Sequence, residues 1–218
     1  MADYLISFPR SGNHLVRFFI ELLTERPTRG CSGNSNDVPI HMNIFTEKVP
    51  FNITNNDFVF EKYHNVPPTP TPTSNNKIIL ILRNPQEVLI RQLGCQINIA
   101  GYNNYFKLID YFLAHTGQKL LLFYEDIITN RIEFINTLCR FLGIVNIEKK
   151  EYCVDNIDKL FRLSHSGEGR AWGGNRSNGE FTFYYKNLDD TFKYEFDNYL
   201  SDKLNTPSYK FVKDRYSL

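Results

Sequence analysis

The amino-acid sequence predicts an α/β protein in three layers, with a mostly parallel central sheet flanked by helices. Short apolar segments alternate with segments whose apolar residues recur every three or four positions, a pattern typical of strand–helix–strand units. Residues 77–82 (KIILIL) are apolar on both faces, as the central strand of a parallel sheet requires. The chain has 218 residues, of which 42% are hydrophobic and 22% charged, and we expect residues 1–218 to form one domain.

The first predicted strand covers residues 4–8 and ends at Pro9. A helix of about residues 13–25 follows, because its apolar side chains repeat at helical spacing and form one stripe. The side chains of this stripe, with Arg17 and Glu21 between them, belong to Leu15, Phe18, Phe19, Leu22 and Leu23. Residues 26–57 are rich in Asn, Pro, Gly and Thr and show no sustained period, so we expect a long loop there.

A second strand is predicted at residues 58–63, and residues 65–76, which include four prolines, predict a second long loop in extended form. The third strand, residues 77–82, is followed by Arg83 and then by the sequence Asn-Pro-Gln-Glu. That sequence supplies an N-cap, a proline suited to the first helical position and a capping-box glutamate. We therefore predict that a helix begins directly after Arg83.

The second half of the chain continues the alternation of helices and strands. A helical segment is predicted near residues 103–115, and a strand at residues 119–124. Another helix is predicted, with Asn130 and Glu133 as its capping residues at the start and Gly143 as its stop. The last helix that the pattern predicts covers about residues 188–204.

The segment after the first strand is the first candidate site, because ligands of parallel sheets bind at the carboxyl ends of the strands. Five residues there open the first predicted helix: Arg10, Ser11, Gly12, Asn13 and His14. Backbone N–H groups at a helix start attract anions, a glycine permits close approach, and the arginine adds a cation. The segment predicts a phosphate cradle, although a plain strand-to-helix turn with a surface arginine would have the same sequence.

Basic residues also follow the second and third strands. Lys62 and His64 lie on the same side of the second strand at its carboxyl end. A histidine there can act as a general base and a lysine can hold an anion, although most single histidines beside loops have no such role. Arg83 follows the third strand, again at a helix start. Three successive strand ends with basic residues indicate one shared site more strongly than independent surface charges.

Taken in order, these segments resemble the motifs of the sulfotransferases that use 3′-phosphoadenosine 5′-phosphosulfate (PAPS). Residues 8–15 (FPRSGNHL) are similar to the family's Y-P-K-S-G-T-T-W, and residues 62–64 (KYH) to its K-T-H. Residues 83–91 (RNPQEVLIR) resemble R-N-P-x-D-V-x-V-S, and residues 124–126 (YED) resemble Y-E-D. The four motifs stand in the family's order.

The resemblance implies a P-loop NTPase-like fold and metal-free transfer of a sulfuryl group from PAPS to a hydroxyl or amine, leaving the product PAP. It implies that His64 is the general base, that Lys62 steadies the transferring group, and that Arg10 holds charge on the departing 5′-phosphate. The residues that the resemblance implies in nucleotide binding are Arg10, Ser11, Gly12, Asn13, His14, Arg83, Arg91, Tyr124, Gly167 and Arg170.

The sequence also departs from the family's pattern. Arg91 stands where the family has a 3′-phosphate-binding serine, so that contact is either rebuilt as a charge contact or lost. Leu15 replaces a tryptophan near the adenine. Residues 165–172 (HSGEGRAW) keep the Gly and Trp spacing of the family's R-K-G-x-x-G-x-W but lack its Arg-Lys pair, for which Arg170 is one candidate replacement.

Two alternatives remain open: a kinase-like phosphotransferase of nucleotides or small molecules, and a non-catalytic protein that binds PAP or another nucleotide. A kinase would need a Gly-Lys-[Ser/Thr] sequence, which we do not find. The adjacent Glu125 and Asp126 diverge on any strand end, so we expect structural roles for them rather than a hydrolytic pair.

We expect a small-molecule or glycan acceptor, bound by residues 26–57 and 92–116. The net charge of +1 gives no reason to expect a nucleic-acid partner. The longest aliphatic run, residues 78–82, is far shorter than a membrane span. Residues 1–4 show no signal-peptide pattern, and the four cysteines are widely spaced, so we expect a cytoplasmic protein with reduced thiols.

Overall fold

The computed structural model describes residues 3–30, 58–67, 75–93, 99–165, 190–201 and 205–216. The strands in these ranges are β1 (Asp3–Ser7), β2 (Thr28–Arg29), β3 (Phe60–Tyr63), β4 (Ile78–Leu82) and β5 (Lys119–Phe123). The helices are α1 (Asn13–Thr24), α2 (Pro85–Leu93), α3 (Ile99–Ala114), α4 (Tyr124–Thr129), α5 (Arg131–Leu142), α6 (Ile147–Asp155), α7 (Ile157–His165), α8 (Asp190–Ser201) and α9 (Pro207–Tyr216).

The five strands form one parallel sheet in the order β2–β3–β1–β4–β5. β1 lies at the centre, with Leu5 opposite Lys62 of β3 on one side and opposite Ile79 of β4 on the other. The chain fills one side of β1 with the edge strand β2 and then β3, and the other side with β4 and then β5, so the strand order reverses at β1. Because parallel strands share the direction of their carboxyl ends, the residues after β1, β3 and β4 meet at this reversal point.

Two apolar clusters cover the two faces of the sheet. Strand alternation sends Leu5 and Ile79 into one cluster, which α1, α5 and α7 complete. In that cluster Phe19 of α1 packs edge-on against Phe134 of α5, with 5.4 Å between ring centroids. Ile6 and Leu80 point into the other cluster, which contains residues of α3, α8 and α9. These three layers confirm the predicted α/β class with a parallel central sheet.

All four predicted strands are present, each within about two residues of its predicted limits. Asn84 caps α2 as predicted, because its Oδ1 accepts hydrogen bonds from the backbone N–H groups of Gln86 (2.9 Å) and Glu87 (3.2 Å). Gly143 ends α5 in the left-handed conformation, with φ of 70°. Asn130 precedes α5, but the predicted side-chain cap is wrong, since its side chain makes no capping hydrogen bond.

Several elements were not predicted. They are β2, α4, α6, α7 and α9. The helix expected near residues 103–115 begins earlier, at Ile99. Within the part of the chain that the structure describes, no helix is both long enough and apolar enough to cross a membrane.

Candidate active site at the carboxyl edge of the sheet

The turn between β1 and α1 contains two residues in the left-handed backbone conformation. Arg10 has φ of 70° and Gly12, the N-cap of α1, has φ of 94°. For a residue with a side chain this conformation costs about 1–2 kcal/mol, and such residues cluster at functional sites. The turn brings the amino end of α1 to the carboxyl edge of the sheet, where its first backbone N–H groups are suited to an anion. The side chain of Arg10 is exposed at this edge.

Gly12 lies against the aromatic ring of Tyr124, the first residue of α4. A Cβ atom on residue 12 would lie 2.8 Å from Cε2 of that ring, closer than any real Cβ contact. The positive φ and this contact both require glycine here. Sequence reasoning expected Gly12 to let an anion approach the backbone; the neighbour that the described structure shows is the ring of Tyr124, and the approach of an anion stays a prediction.

The polar side chains that follow differ in their surroundings. Ser11 is fully buried, and among the described residues its Oγ has no hydrogen-bond partner. Asn13 donates from Nδ2 to Oγ of Ser7 at 3.0 Å, while its buried Oδ1 also lacks a partner among the described residues. A buried polar atom without a partner costs about 1–3 kcal/mol, so these atoms are suited to a ligand. His14 is exposed on the first turn of α1.

His64, directly after β3, is half-buried and contacts the end of β1. Its Nδ1 lies 2.8 Å from the carbonyl oxygen of Ser7. A carbonyl oxygen only accepts hydrogen bonds, so Nδ1 carries the proton in this contact. In the neutral ring Nε2 is then the basic nitrogen. The contact therefore selects the tautomer in which Nε2 can accept a proton.

Lys62 is a buried lysine on β3. Its neighbour Tyr63 packs in the α3 cluster, and Phe60 in the α1 cluster. Alternation along the strand therefore puts Lys62 on the α1 side of the sheet. The contact of Lys62 with a transferring group stays a prediction.

Arg83, directly after β4, has a buried guanidinium with 6% of its side chain exposed. The guanidinium lies over the ring of Tyr124 at 4.1 Å. Its two terminal nitrogens donate to the backbone carbonyl of Arg10 (3.1 Å) and to Oε1 of Glu87 (3.2 Å). Burial lowers the pKa of Arg83, and burial likewise raises the pKa of Tyr124. Arg83 thus connects the β1–α1 turn to the start of α2.

Glu87 does not complete the predicted capping box. The backbone N–H of Asn84 donates instead to Oε1 of Glu125, at 2.8 Å. Glu87 is fully buried and pairs through the same oxygen with Arg83 and with Arg91. One carboxylate between two guanidiniums leaves one net positive charge, and the Arg91 side chain is 17% exposed. The pair is suited to a multiply charged anion such as a phosphate.

Two further residues hold the backbone at Arg83, and sequence reasoning identified neither contact. The hydroxyl of Tyr105 donates to the carbonyl of Arg83 at 2.9 Å. Glu125, as described, accepts from the next backbone N–H. No local sequence pattern signals the contact of Tyr105, because 22 residues separate it from Arg83. Glu125 belongs to the Tyr-Glu-Asp segment, and its contact agrees with the structural role predicted for it.

The predicted residues of the cradle, the base and the two arginines follow β1, β3 and β4, at one edge of the sheet. Tyr124, after β5, contacts both Gly12 and Arg83 and so lies between the cradle and the arginines. Gly167 and Arg170 lie outside the described residues.

No protein-family model and no curated protein matches the sequence. Solved structures do match it. A crystal structure of mouse sulfotransferase SULT7A1 complexed with PAP matches with a TM-score of 0.65 and 16% identity, covering 99% of this chain and 88% of that one. Two structures of retinol dehydratase with PAP, one with androsterone and one with retinol, match with TM-scores of 0.62 and 0.59 and identities of 15% and 16%. Each match covers 94% of this chain and 81% of the other. The chain therefore has the fold of the PAPS-dependent sulfotransferases.

Proposed function

We propose that this protein transfers a sulfuryl group from PAPS to a hydroxyl or amine of a small-molecule or glycan acceptor. One observation carries the proposal: the predicted cradle, the arginines Arg83 and Arg91 paired with the buried Glu87, and a histidine whose Nδ1 is bonded to a carbonyl lie together at one edge of a sulfotransferase fold. The matched sulfotransferase and retinol dehydratase structures contain PAP, the product that this reaction would release.

The residues present fit a nucleotide with two separate phosphate groups. The cradle, with the buried Oγ of Ser11 that has no partner among the described residues, is suited to the 5′-phosphosulfate. The second group, Arg83 and Arg91 on Glu87, is suited to a 3′-phosphate. Tyr124 contacts both groups, and Arg83 donates to the backbone carbonyl of Arg10, so the two groups adjoin and each is assigned one phosphate. In this proposal Arg91 replaces the family's serine as a charge contact.

The chemistry follows from this placement. PAPS supplies a sulfuryl group, and transfer breaks the bond from sulfur to the 5′-phosphate oxygen as a bond from sulfur to the acceptor forms. His64 accepts the acceptor's proton at Nε2, while the carbonyl of Ser7 keeps the ring oriented. Arg10 and the N–H groups of residues 11–14 stabilise the charge that develops on the departing phosphate. Lys62 holds the transferring group, and Gly167 and Arg170 complete the nucleotide site.

The test is a turnover assay with PAPS and a panel of hydroxyl and amine acceptors. We expect release of PAP together with a sulfated acceptor in equal amounts. Arg10→Ala should weaken both nucleotide binding and turnover, because Arg10 touches the phosphosulfate before and during transfer. A protein that binds PAP, and melts at a higher temperature with it, but releases none from PAPS with any acceptor would be a binding protein rather than an enzyme.

A further inference from the structure

The last described turn of α9 lies against the segment that holds Arg83. The hydroxyl of Tyr216 donates to Oε2 of Glu125 at 3.1 Å. The other oxygen of Glu125 accepts from the backbone N–H of Asn84 at 2.8 Å. A single carboxylate therefore connects α9 to the residue that follows Arg83. We call Arg215 and Tyr216 the α9 clasp.

The clasp makes further contacts with residues 123–126. Arg215 pairs with Asp126, and its guanidinium lies over the ring of Phe123 at 4.8 Å. The ring of Tyr216 packs edge-on against the same Phe123, with 6.0 Å between centroids. Two successive side chains thus bracket the short segment that contains Tyr124 and Glu125. Within this segment, Tyr124 contacts the guanidinium of Arg83, and Glu125 contacts the peptide that follows Arg83.

The peptide unit between Arg83 and Asn84 is held at both of its polar groups. Its carbonyl accepts from the hydroxyl of Tyr105, and its N–H donates to Glu125. Because a peptide unit is planar, two such bonds fix its orientation and hence the direction in which the chain enters α2. A shift of Glu125 would turn this plane and move the guanidinium of Arg83 relative to Arg91. The position of Glu125 depends in turn on Tyr216.

The hydroxyl of Tyr216 is suited to a permanent donor role. Burial, with the nearby Tyr105 and the charge of Glu125 adding to it, raises the pKa of Tyr216. The hydroxyl therefore keeps its proton at neutral pH and donates it to the carboxylate. A hydrogen bond from a hydroxyl to a carboxylate is charge-assisted and therefore stronger than one between neutral groups.

We propose that Tyr216, supported by Arg215, is a positioning residue for the arginine pair that binds the 3′-phosphate, acting through Glu125 without touching the nucleotide. The proposal rests on the proposed function, because it takes Arg83 and Arg91 as the 3′-phosphate site. It assigns to α9 a part in nucleotide selectivity, namely the preference for a 3′-phosphorylated nucleotide over its 5′-monophosphate counterpart.

The test compares PAP with AMP, which lacks the 3′-phosphate, by calorimetry on the full chain. Tyr216→Phe should lower the ratio of PAP affinity to AMP affinity by about three- to tenfold, the range expected for a residue that acts through another. AMP affinity itself should stay near wild type. Tyr209→Phe is the matched control, because it makes the same change two turns earlier on α9, in the apolar cluster. It should leave the ratio unchanged.

A double-mutant cycle separates positioning from a general loss of stability. In the Glu125→Ala background, Tyr216→Phe should have no further effect on the affinity ratio, because the link to Asn84 is already absent. A residue that only stabilises α9 would lower the melting temperature equally in both backgrounds and leave the ratio alone. Melting temperatures of all four proteins are measured alongside.

The possible outcomes distinguish a failure of the positioning role of Tyr216 from a failure of the 3′-phosphate site itself. If the wild type prefers PAP, Arg83→Ala removes that preference and Tyr216→Phe retains it, the clasp has no positioning role and only this inference is overturned. If the wild type does not prefer PAP over AMP, the 3′-phosphate site itself is wrong, and the proposed function and this inference are overturned together. The proposal is supported if Tyr216→Phe lowers the ratio of PAP affinity to AMP affinity in the wild-type background and has no effect on that ratio in the Glu125→Ala background.

Discussion

At the scale of single residues, the direction of one hydrogen bond decides whether His64 can work as a base. Its contact with the carbonyl of Ser7 requires a proton on Nδ1, so the opposite nitrogen is the one that can accept. A serine or threonine hydroxyl in place of the carbonyl would have left both tautomers open. The end of β1 therefore determines which ring nitrogen carries the proton in a residue that directly follows β3, 57 positions away in the sequence.

His64→Ala should reduce turnover by about 10²–10⁴-fold, the usual contribution of a positioned base. PAP affinity should change little, because the histidine faces the acceptor in the proposed arrangement. Wild-type turnover should rise with pH across the range in which imidazoles lose their proton. Steady-state kinetics with a verified acceptor measure both effects. His115→Gln is the control, since His115 lies at the opposite edge of the sheet and glutamine keeps a donor for the carbonyl of Asn76.

Wild-type turnover in His64→Ala would show that the base lies elsewhere. His14, exposed on the first turn of α1, would then be the first candidate to replace. Loss of PAP affinity along with turnover would instead indicate a nucleotide contact.

At the scale of elements, two helices have a glycine in the left-handed conformation at one end, and the two glycines differ in their surroundings. Gly12 begins α1 against the ring of Tyr124, whereas Gly143 ends α5 with no atom within 4 Å of an added Cβ. Gly143→Ala should therefore cost only the backbone term, about 1–2 kcal/mol of unfolding free energy. Gly12→Ala should cost more and should also weaken PAP binding, because the ring of Tyr124 must shift and this displaces the guanidinium of Arg83 that lies over it. Urea unfolding and calorimetry on both variants measure the difference.

Equal losses of stability in the two variants, with PAP affinity unchanged in both, would contradict the role of Gly12. The pair is matched, because both glycines have a positive φ and differ in what surrounds them.

The elements that sequence patterns miss are those built by distant contacts. β2 has only two residues, and it is held by Arg17 and Glu21 of α1, which both bond to Thr28. In the sequence these charged residues interrupt an apolar stripe, yet both are buried. Helix α9 was missed because only a few of its side chains are apolar and buried, among them Tyr209 and Val212.

The sequence predicts those residues of the candidate site whose position depends only on the sheet topology. The rule for strand ends located Arg10, His64 and Arg83, because it depends only on which segments are strands. The partner of Glu87 was not predictable, since a glutamate at that helix position can bond the N-cap or pair with arginines one turn away on either side. The contact of Asn84 with Glu125 spans 41 residues and has no local signal.

At the scale of the whole molecule, acid should destabilise the fold through His115. Burial lowers the pKa of His115 from its ordinary 6.5, so on acidification the unfolded chain binds a proton before the folded one does. The stability contributed by this neutral histidine is complete above pH about 6.5 and decreases as the pH falls toward its folded pKa. The difference in unfolding free energy between wild type and His115→Gln should therefore shrink as the pH is lowered from 7.5 to about 5.

Chemical denaturation at several pH values measures that difference. A difference that stays constant over this range would mean that His115 takes up its proton equally well in the folded and unfolded states. Because the variant lacks the imidazole, contributions from other groups, such as the half-buried Asp3, cancel in the comparison.

The central claim is that this molecule binds a nucleotide by two phosphates, and titration with PAP, AMP and ATP tests it most directly. Isothermal calorimetry should show that PAP binds much more tightly than AMP or ATP, with no gain from magnesium. Arg83→Ala should cost about 1.5–3 kcal/mol of PAP binding, the scale of a charged hydrogen bond. Arg131→Ala should cost none, although Arg131 also lies over an aromatic ring, at 4.7 Å from Phe161, and pairs with a carboxylate. Equal affinities for AMP and PAP would contradict the account.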